Sequence, residues 1–443
     1  MKVTKLLLLA LVFFGIPSLK AQEKTGLTLN EAINIVLSKS NAVALANAKV
    51  ETKRYESQTV KNYKYPDLRV SGQYLRLTNA NVNSKLNSNS SNPPSAPLAV
   101  NQLMLGQINS SLPLFSGFKL QNSVRASENL YQSEKAKLEQ TKEEIAMEVV
   151  EYYANLYRAQ KAVNLITENL KSAEQRVTDF TALEKNGIIA RNDLLKVQLQ
   201  QSKVQLSLDE AYKNVSVLNY YLITLLKLPE DYKIGIDENQ FANNQPINII
   251  KNEEIALKSR KDLEAIHFIQ KASENNIKIA KSGYYPTVNL TGGFIYLDLK
   301  NALTVSNAMN FGIGVSYDIA NIFKNGANVK AAKSKALEAT QSEAILSENI
   351  KVQVQQAIEN YNLALKQNLV YEQAIGQATE NYRIVKDKYD NGLSNTTDLL
   401  EADVEQLNSK INYAYSRANI MLKYYEMQSA SGQLTQSFQL TKN

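Results

Sequence analysis

The chain has 443 residues and a formal net charge of +7, with basic and acidic residues interleaved. It contains no cysteine and one histidine, His267. These counts exclude disulfides, thiolate metal sites, cysteine nucleophiles, multi-histidine metal sites and histidine-based triads. The charge forms no concentrated basic face of the kind that nucleic-acid binding needs. We therefore expect no enzyme, no cofactor, no metal and no nucleic-acid partner, and we interpret His267 as an ordinary helix residue.

Residues 1–21 have the pattern of a secretory signal peptide. Lys2 and Lys5 precede the apolar run LLLLALVFFGI (6–16), and Ala21 is a small residue at a suitable cleavage point. The run is too short to span a bilayer, which favours a signal peptide over a membrane anchor. We expect an exported protein; the alternative is a buried N-terminal helix. No later apolar run predicts a transmembrane helix.

The remainder of the chain contains an internal repeat. The segment NGIIARNDLLKV (186–197) returns as NGLSNTTDLLEA (391–402), 205 positions later, and about a hundred residues align at this offset. The predicted organisation is a first repeat (22–227), a polar linker (228–250), a second repeat (251–430) and a C-terminal tail (431–443). Because the two repeats share one design, we expect them to pack into a single architecture.

Each repeat contains long helices with a heptad pattern. Apolar residues step by four and three from Ile145 to Phe180 in the first repeat, and from Ile350 to Val385 in the second. This spacing is typical of a coiled coil. A continuous helix over 120–184 would be on the order of 95 Å long.

Four segments alternate apolar and polar residues and predict β-strands. They cover about 67–77, 102–115, 287–299 and 310–319. One apolar face backed by small polar residues is the pattern of a membrane-spanning barrel, and a soluble sheet packed on a core is the alternative. Because a small closed barrel needs about eight strands, four strands per chain predict a transmembrane β-barrel shared between identical subunits.

The repeated Asn-Gly motifs predict the ends of two helical hairpins, at 184–193 and 389–398. Glycine adopts positive φ without steric cost, which suits a chain reversal after a helix. Asp193 and Asp398 then fall at the N-cap or in the first turn of the next helix, where a carboxylate favours the exposed amides. Each copy is therefore interpreted as the tip of a long antiparallel coiled coil.

The signal peptide, the doubled helix–strand–strand–helix plan, the segment FSGFKLQNSV (115–124) and the paired tips together resemble the TolC family of outer-membrane efflux and secretion channels. The resemblance implies a mixed, mainly α fold. It implies a homotrimer with a twelve-stranded barrel in outer-membrane lipid and a helical barrel extending into the periplasm. The partners it implies are a periplasmic adaptor (membrane fusion) protein and an inner-membrane transporter.

The resemblance also implies roles for residues at the tips. By motif position, Asp398 and Glu401 match acidic residues that narrow the pore, and Asp193 and Tyr389 match residues in contacts between tips. The alternative is that Asp398 and Asp193 cap their helices while Glu401 and Asp403 are solvated surface.

The same resemblance implies that the tip turns dock the adaptor, through Asn186 and Gly187 in the first repeat and Asn391 and Gly392 in the second. The predicted function is thus a passive, trimeric exit duct of a tripartite efflux or type I secretion system, gated at its periplasmic tips. The competing prediction is a periplasmic coiled-coil adaptor or scaffold without a membrane barrel.

Overall fold

A computed structural model describes residues 26–82, 98–241 and 253–438. The predicted signal peptide lies outside these residues. The described part is mainly helical and contains one four-stranded antiparallel sheet. Its elements follow the same order in both halves: helices, two strands, then a long helical hairpin.

The helices and strands of the described residues are numbered in chain order. The first half contains α1 (Leu29–Lys39), α2 (Asn41–Asn62), β1 (Asp67–Val82), β2 (Leu98–Ser116), α3 (Lys119–Lys185) and α4 (Arg191–Leu226). The second half contains α5 (Glu253–Ser259), α6 (Lys261–Lys281), β3 (Thr287–Leu299), β4 (Leu303–Ser316), α7 (Asn321–Asp390), α8 (Thr396–Ala430) and α9 (Leu434–Ser437).

A capping box sets the start of α1. The Thr28 hydroxyl accepts a hydrogen bond from the Glu31 N–H, and the Glu31 carboxylate accepts one from the Thr28 N–H, both at 3.2 Å. The box satisfies two amides that the start of a helix leaves without partners. Apolar residues at helical spacing then bury one face of α1 against α3 and α4. They are Leu29, Ala32, Ile33 and Val36.

Two helices run nearly the whole length of the molecule. α3 has 67 residues and α7 has 70, so each is on the order of 100 Å long. The continuous helix predicted over 120–184 is confirmed, with one further residue at each end. Within the part of the chain described here, no helix combines the length and apolarity that a membrane-crossing helix requires.

The buried stripe of α3 is wider than the predicted heptad line. Val149 and Leu156 on that line are buried, but Tyr152 is only partly buried, and its neighbours Tyr153 and Tyr157 are buried instead. The reason is that α3 packs against α2, α4, α6 and α8 rather than against one partner. A helix with several neighbours buries more than the narrow face of a two-helix coiled coil.

In the second half, Asn368 is a polar residue on the heptad line of α7, and it lies in a buried contact with α8. Asn368 is buried, and its Oδ1 accepts a hydrogen bond from the buried Ser416 hydroxyl at 2.9 Å. Because both polar groups are satisfied, α7 and α8 pack closely here without a solvated gap.

The strands pair in the order β1-β2-β3-β4, all antiparallel, so β1 and β4 are the edges of the sheet. The predicted bounds of β3, 287–299, are confirmed. The other strands differ: β1 extends to Val82 rather than 77, and β2 begins at Leu98 rather than 102. β4 spans Leu303–Ser316 rather than 310–319.

The pairing is irregular in the outer parts of β1 and β4. The register of β1 shifts between Arg76 and Ala80, and that of β3 with β4 shifts between Ile295 and Leu297. Near the second shift, Asn307 has φ +54°. In β4 the shift adds one residue opposite β3 and breaks the period of two, which hides the alternation in the sequence. In β1 the shift adds two residues opposite β2, so the period of two continues beyond it. Residues 299–309, which lie between the segments predicted as the third and fourth strands, are mostly strand.

Residues 228–241, the described part of the predicted polar linker, pack into the largest apolar core of the described residues, which lies between α1, α3, α4 and α8. Ile236 forms a parallel bridge with Leu27. Phe241 stacks on Tyr157 with ring centroids 3.8 Å apart. The linker residues beyond Phe241 lie outside the described part. The joint between the repeats is therefore anchored over its first half.

Residues 431–438, the described part of the predicted C-terminal tail, also pack on this core. They contain α9, and Leu434 and Phe438 are buried. The Phe438 ring stacks on Tyr425 at 4.9 Å between centroids. Residues 439–443 lie outside the described part.

The helices form a row with two free sides. Near the tips the order of contacts is α4–α3–α8–α7, and near the sheet it is α2–α3–α6–α7. One lateral edge of the molecule therefore consists of α4, α2 and β1, and the opposite edge consists of β4 and α7.

Candidate functional site at the hairpin tips

The two tip turns have the same geometry. Gly187 and Gly392 have φ of +69° and +73°. The N–H of Ile188 donates to the Leu183 carbonyl at 2.9 Å, and the N–H of Leu393 donates to the Lys388 carbonyl at 2.8 Å. These are the six-to-one bonds of a Schellman motif, which requires positive φ just after the helix.

The tip asparagines complete the ends of their own helices. Asn186 Nδ2 donates to the Ala182 carbonyl at 2.8 Å, and Asn391 Nδ2 donates to the Asp387 carbonyl at 2.7 Å. The side chains that project from the tips are the next residues, Ile188 and Leu393, which are 67% and 78% exposed. Sequence reasoning missed this pair, although the two occupy equivalent positions of the repeat.

The two outgoing helices begin differently. Asn395 caps α8, since its side chain accepts from the Asp398 N–H at 2.9 Å, and Ser394 donates to the Asp398 carboxylate at 3.0 Å. α4 begins after Ala190, which provides no side-chain cap. Asp193 and Asp398 are therefore both first-turn residues and neither is an N-cap.

Two of the predicted gate acids, Asp193 and Glu401, lie near lysines of the same chain. Asp398 and Glu401 are both exposed. Glu401 lines a groove of about 620 Å³ between α4 and α8, together with Lys196 and Lys203. Lys196 also contacts Asp193 at 3.6 Å. The local charge at the tips is thus mixed in sign, which weakens the repulsion that carboxylates alone would produce.

Tyr389 lies in an apolar cluster between the hairpins. Its ring stacks on Phe180, with centroids 5.6 Å apart. The buried members of the cluster come from three helices and are Phe180, Leu194, Val197, Leu399 and Leu400. Within one chain Tyr389 and Asp193 therefore have different partners.

A buried ion pair joins the two hairpins just above this cluster. Arg176 Nη1 on α3 donates to Asp403 Oδ2 on α8 at 3.0 Å, and both side chains are less than a tenth exposed. Arg176 Nη2 donates to the Tyr382 hydroxyl at 3.2 Å, and Asn169 Nδ2 lies 3.3 Å from the carboxylate. We call these four residues the hairpin clamp.

The hairpin clamp overturns the interpretation of Asp403 as solvated surface. Burial alone lowers the pKa of Arg176, but the hydrogen bond to Asp403 and the attraction between the charges raise it, so the guanidinium stays charged. The signal missed in the sequence was a charged residue close to the apolar stripe on each of two helices. Arg176 directly precedes Val177, and Asp403 lies three positions after Leu400. Such charges persist in a core only when they are paired.

The geometry at the tips holds the two hairpins in a fixed relative position. Two hairpins end side by side, an apolar cluster and a buried ion pair fix their relative position, and acidic residues lie on the exposed surface of α8. Across residues 26–82, 98–241 and 253–438, no group of three or more acidic or histidine side chains could hold a metal ion.

Comparisons with known proteins agree with this architecture. The sequence pattern of the family described as "Outer membrane efflux protein" matches residues 32–217 and 254–433. Outer membrane protein TolC of Escherichia coli (strain K12) is 24% identical over 301 residues, which cover 62% of this chain and 59% of that protein. Outer membrane protein TolC of Vibrio cholerae is 23% identical over 315 residues, covering 67% and 69%. The alignment thus spans about three fifths of the Escherichia coli relative.

A solved structure shows the same fold. The CmeC outer membrane channel of Campylobacter jejuni superposes with a TM-score of 0.80 at 18% identity, over 94% of this chain and 87% of that chain. The superposition includes both the sheet and the long hairpins, because it covers nearly the whole chain.

Proposed function

Since the chain belongs to the outer membrane efflux protein family, we propose that it is the outer-membrane channel subunit of a tripartite efflux or type I secretion system. In this role it is a passive exit duct and not an enzyme. Its sheet lies in the outer membrane and its helices extend into the periplasm. A periplasmic adaptor connects it to an inner-membrane transporter, which supplies the energy.

The observation that carries the proposal is a sheet that one chain leaves incomplete. Among the described residues, each edge strand pairs with a neighbour on one side only, which leaves backbone groups on its outer side unpaired. On β4, four apolar residues at a period of two are between 67% and 83% exposed: Met309, Phe311, Ile313 and Val315. An apolar face of this kind needs lipid, and unpaired amides in lipid need another strand.

The helical layer is incomplete at the same two edges. α7 exposes Ile345, Val352, Leu363 and Val370, and α4 exposes Leu195, Leu199 and Leu206. If the edge of one copy packs against the opposite edge of the next, both sets are buried. Such a contact is heterologous and forms a ring when the rotation between copies closes, and strands in lipid require that closure. Three copies supply twelve strands, which supports a homotrimer with a shared barrel.

The exposed tips support the docking of an adaptor. Ile188 and Leu393 project from the ends of the two hairpins, while Asn186, Gly187, Asn391 and Gly392 hold the turns in shape. These two apolar side chains lie at the end of a rigid coiled coil. They suit an end-to-end contact with apolar side chains at the tip of another helical hairpin, that of the adaptor. The tip asparagines in this proposal shape the surface rather than contact the adaptor.

The gate is proposed at Asp398 and Glu401, which form a ring of six carboxylates in a trimer, with Asp193 and Tyr389 supporting the tip contacts. We expect Asp398→Ala with Glu401→Ala to lower cation selectivity in single-channel recordings, because fewer negative charges face the pore. Glu372→Ala, at an exposed acid of α7 away from the tips, is the control. Unchanged selectivity in the double variant would leave the two acids as solvated surface.

Extraction and mass tests distinguish the channel from its rival, a periplasmic adaptor or scaffold. The mature protein should require detergent for extraction from membranes, and its mass after correction for detergent should be three times that of one chain. A water-soluble single chain would contradict the proposal and favour the scaffold.

A further inference from the structure

The strand register brings four polar positions into one row. Arg69 pairs with Asn109, Asn109 pairs with Gly293, and Gly293 pairs with Asn310. Directly paired residues of antiparallel strands point to the same face of the sheet. We call these four residues the polar row. Arg69, Asn109 and Asn310 are all exposed on this face.

The glycine of the polar row makes room for its neighbours. A Cβ at Gly293 would lie 2.6 Å from the Ile108 carbonyl oxygen and 3.2 and 3.3 Å from Oδ1 of Asn109 and Asn310. Side-chain amides therefore fill the space above Gly293 from both sides. The row is a continuous polar surface with a guanidinium at one end.

Charges within the four strands are few and clearly divided between the faces. The strands contain Asp67, Arg69, Arg76 and Asp298. Asp298 shares a row with Met104 and Tyr74, on the apolar face, and Arg76 follows Tyr74 on that same face. Only Asp67 and Arg69 belong to the polar face.

Asp67 lies one step closer to the helices than Arg69. Its row contains Ser111, Thr291 and Gly312. Two residues along a strand separate Asp67 and Arg69 by roughly 7 Å. The next row on the other side, Ser71 with Gln107, Ile295 and Ala308, is uncharged. The polar face thus presents an acid at its helix-side end and a base immediately beyond it.

We propose that Arg69, together with Asn109 and Asn310, forms a cationic belt inside the strand-lined part of the duct, and that this belt binds carboxylate, sulfonate or phosphate groups of passing anions. The inference rests on the proposed function, because it needs three chains with their polar faces inward. The guanidinium fork matches these anions with two hydrogen bonds, and the amides supply further donors.

The dimensions of the duct make the belt effective. Twelve strands about 4.8 Å apart and tilted by about 40° close into a ring roughly 24 Å across at the backbone. Arginine side chains reach inward from that wall, and the Debye length is about 8 Å at physiological ionic strength. Most of the remaining lumen therefore lies within reach of the three guanidinium groups.

Ion selectivity in planar bilayers tests the belt with the full-length mature trimer. Reversal potentials are measured under a KCl gradient at low salt, where the Debye length is about 30 Å. Arg69→Gln should lower the chloride-to-potassium permeability ratio by at least about twofold, and Asp67→Asn should raise it. Arg76→Gln, on the opposite face, is the control and should leave the ratio unchanged.

A second variant separates charge from geometry. Arg69→Lys should keep the permeability ratio, but it should weaken the block of chloride current by inorganic phosphate, because an ammonium group cannot bind it through a planar fork. An unchanged ratio in Arg69→Gln, or equal shifts in Arg69→Gln and Arg76→Gln, would overturn the belt. Failure of the wild-type protein to form any channel would instead reject the proposed function.

Discussion

At the scale of single residues, the hairpin clamp determines how the two tips are held. A buried ion pair contributes little net stability compared with apolar residues of similar size, but removal of one partner leaves an uncompensated charge in the core. The pair Arg176–Asp403 therefore fixes which parts of α3 and α8 face each other. Any rearrangement that separates the hairpins must break it.

Asp403→Ala should lower the stability of the assembled protein by about 3–5 kcal/mol, because Arg176 stays buried without its counter-charge. The apolar double variant Arg176→Met with Asp403→Leu should lose much less. Denaturant-induced unfolding followed by circular dichroism measures both. Arg383→Gln, which removes an exposed ion pair with Glu380, is the control and should have no measurable effect. Equal losses in the single and double variants would show that volume, not charge, matters.

The clamp also shows where prediction from the sequence fails. The tips, their glycines and the exposed position of Asp398 could be predicted because they depend on local spacing. The clamp could not be predicted, because Arg176 and Asp403 are 227 positions apart. Their burial depends on which helices α3 contacts. Asp403 looks like any charged residue of an amphipathic helix until its neighbour is known.

At the scale of elements, helix existence was predictable and strand length was not. The heptad pattern gave the correct extent of α3, since a long periodic run leaves few alternatives. The one-residue bulge near Asn307 hid the outer part of β4. The packing of α9 was hidden as well, because a helix of four residues is too short to show a periodic pattern.

The contact between α9 and α8 predicts an alkaline sensitivity. Burial, more than the neighbouring Tyr424, raises the pKa of Tyr425 to about 12, above the value of about 10 for an unfolded tyrosine. The unfolded chain therefore ionises first, so this contribution to stability is complete below about pH 10 and declines as the pH rises toward 12.

In the wild-type protein the free energy of unfolding should fall between about pH 10 and 12. Tyr425→Phe should make this fall smaller by about 1–2 kcal/mol. Unfolding midpoints at several alkaline pH values measure this. Tyr220→Phe, at an exposed tyrosine, serves as the control. A wild-type decline that Tyr425→Phe does not reduce would contradict the assignment.

At the scale of the whole molecule, the free edges of the sheet and of the helical row coincide. The sequence revealed the incompleteness through the count of four strands. It did not reveal that α7 borders β4 while α4 and α2 border β1, because that order depends on the packing around α3. A single interface between neighbouring copies consequently closes both the strand-lined part and the helix-lined part of the duct.

Leu363→Glu on α7 or Leu206→Glu on α4 should abolish the trimer and leave the single chain folded. Both side chains are more than half exposed in one chain, so the cost of a buried charge arises only on assembly. Detergent-corrected mass and circular dichroism measure the two properties. Ser172→Glu, an exposed position on the central helix α3, is the control and should stay trimeric. Trimers in both edge variants would place the interface elsewhere.

The first turns of α4 and α8 differ in stability, so the tips of the two hairpins at the end of the duct are not equally rigid. The start of α8 is secured by Asn395 and Ser394, whereas α4 starts from Ala190 without such support. In the assembled duct, fraying should therefore concentrate at the start of α4 in the first hairpin of each chain. Deuterium uptake at Asn192 should be faster than at Thr397, and equal uptake would mean that assembly stiffens both.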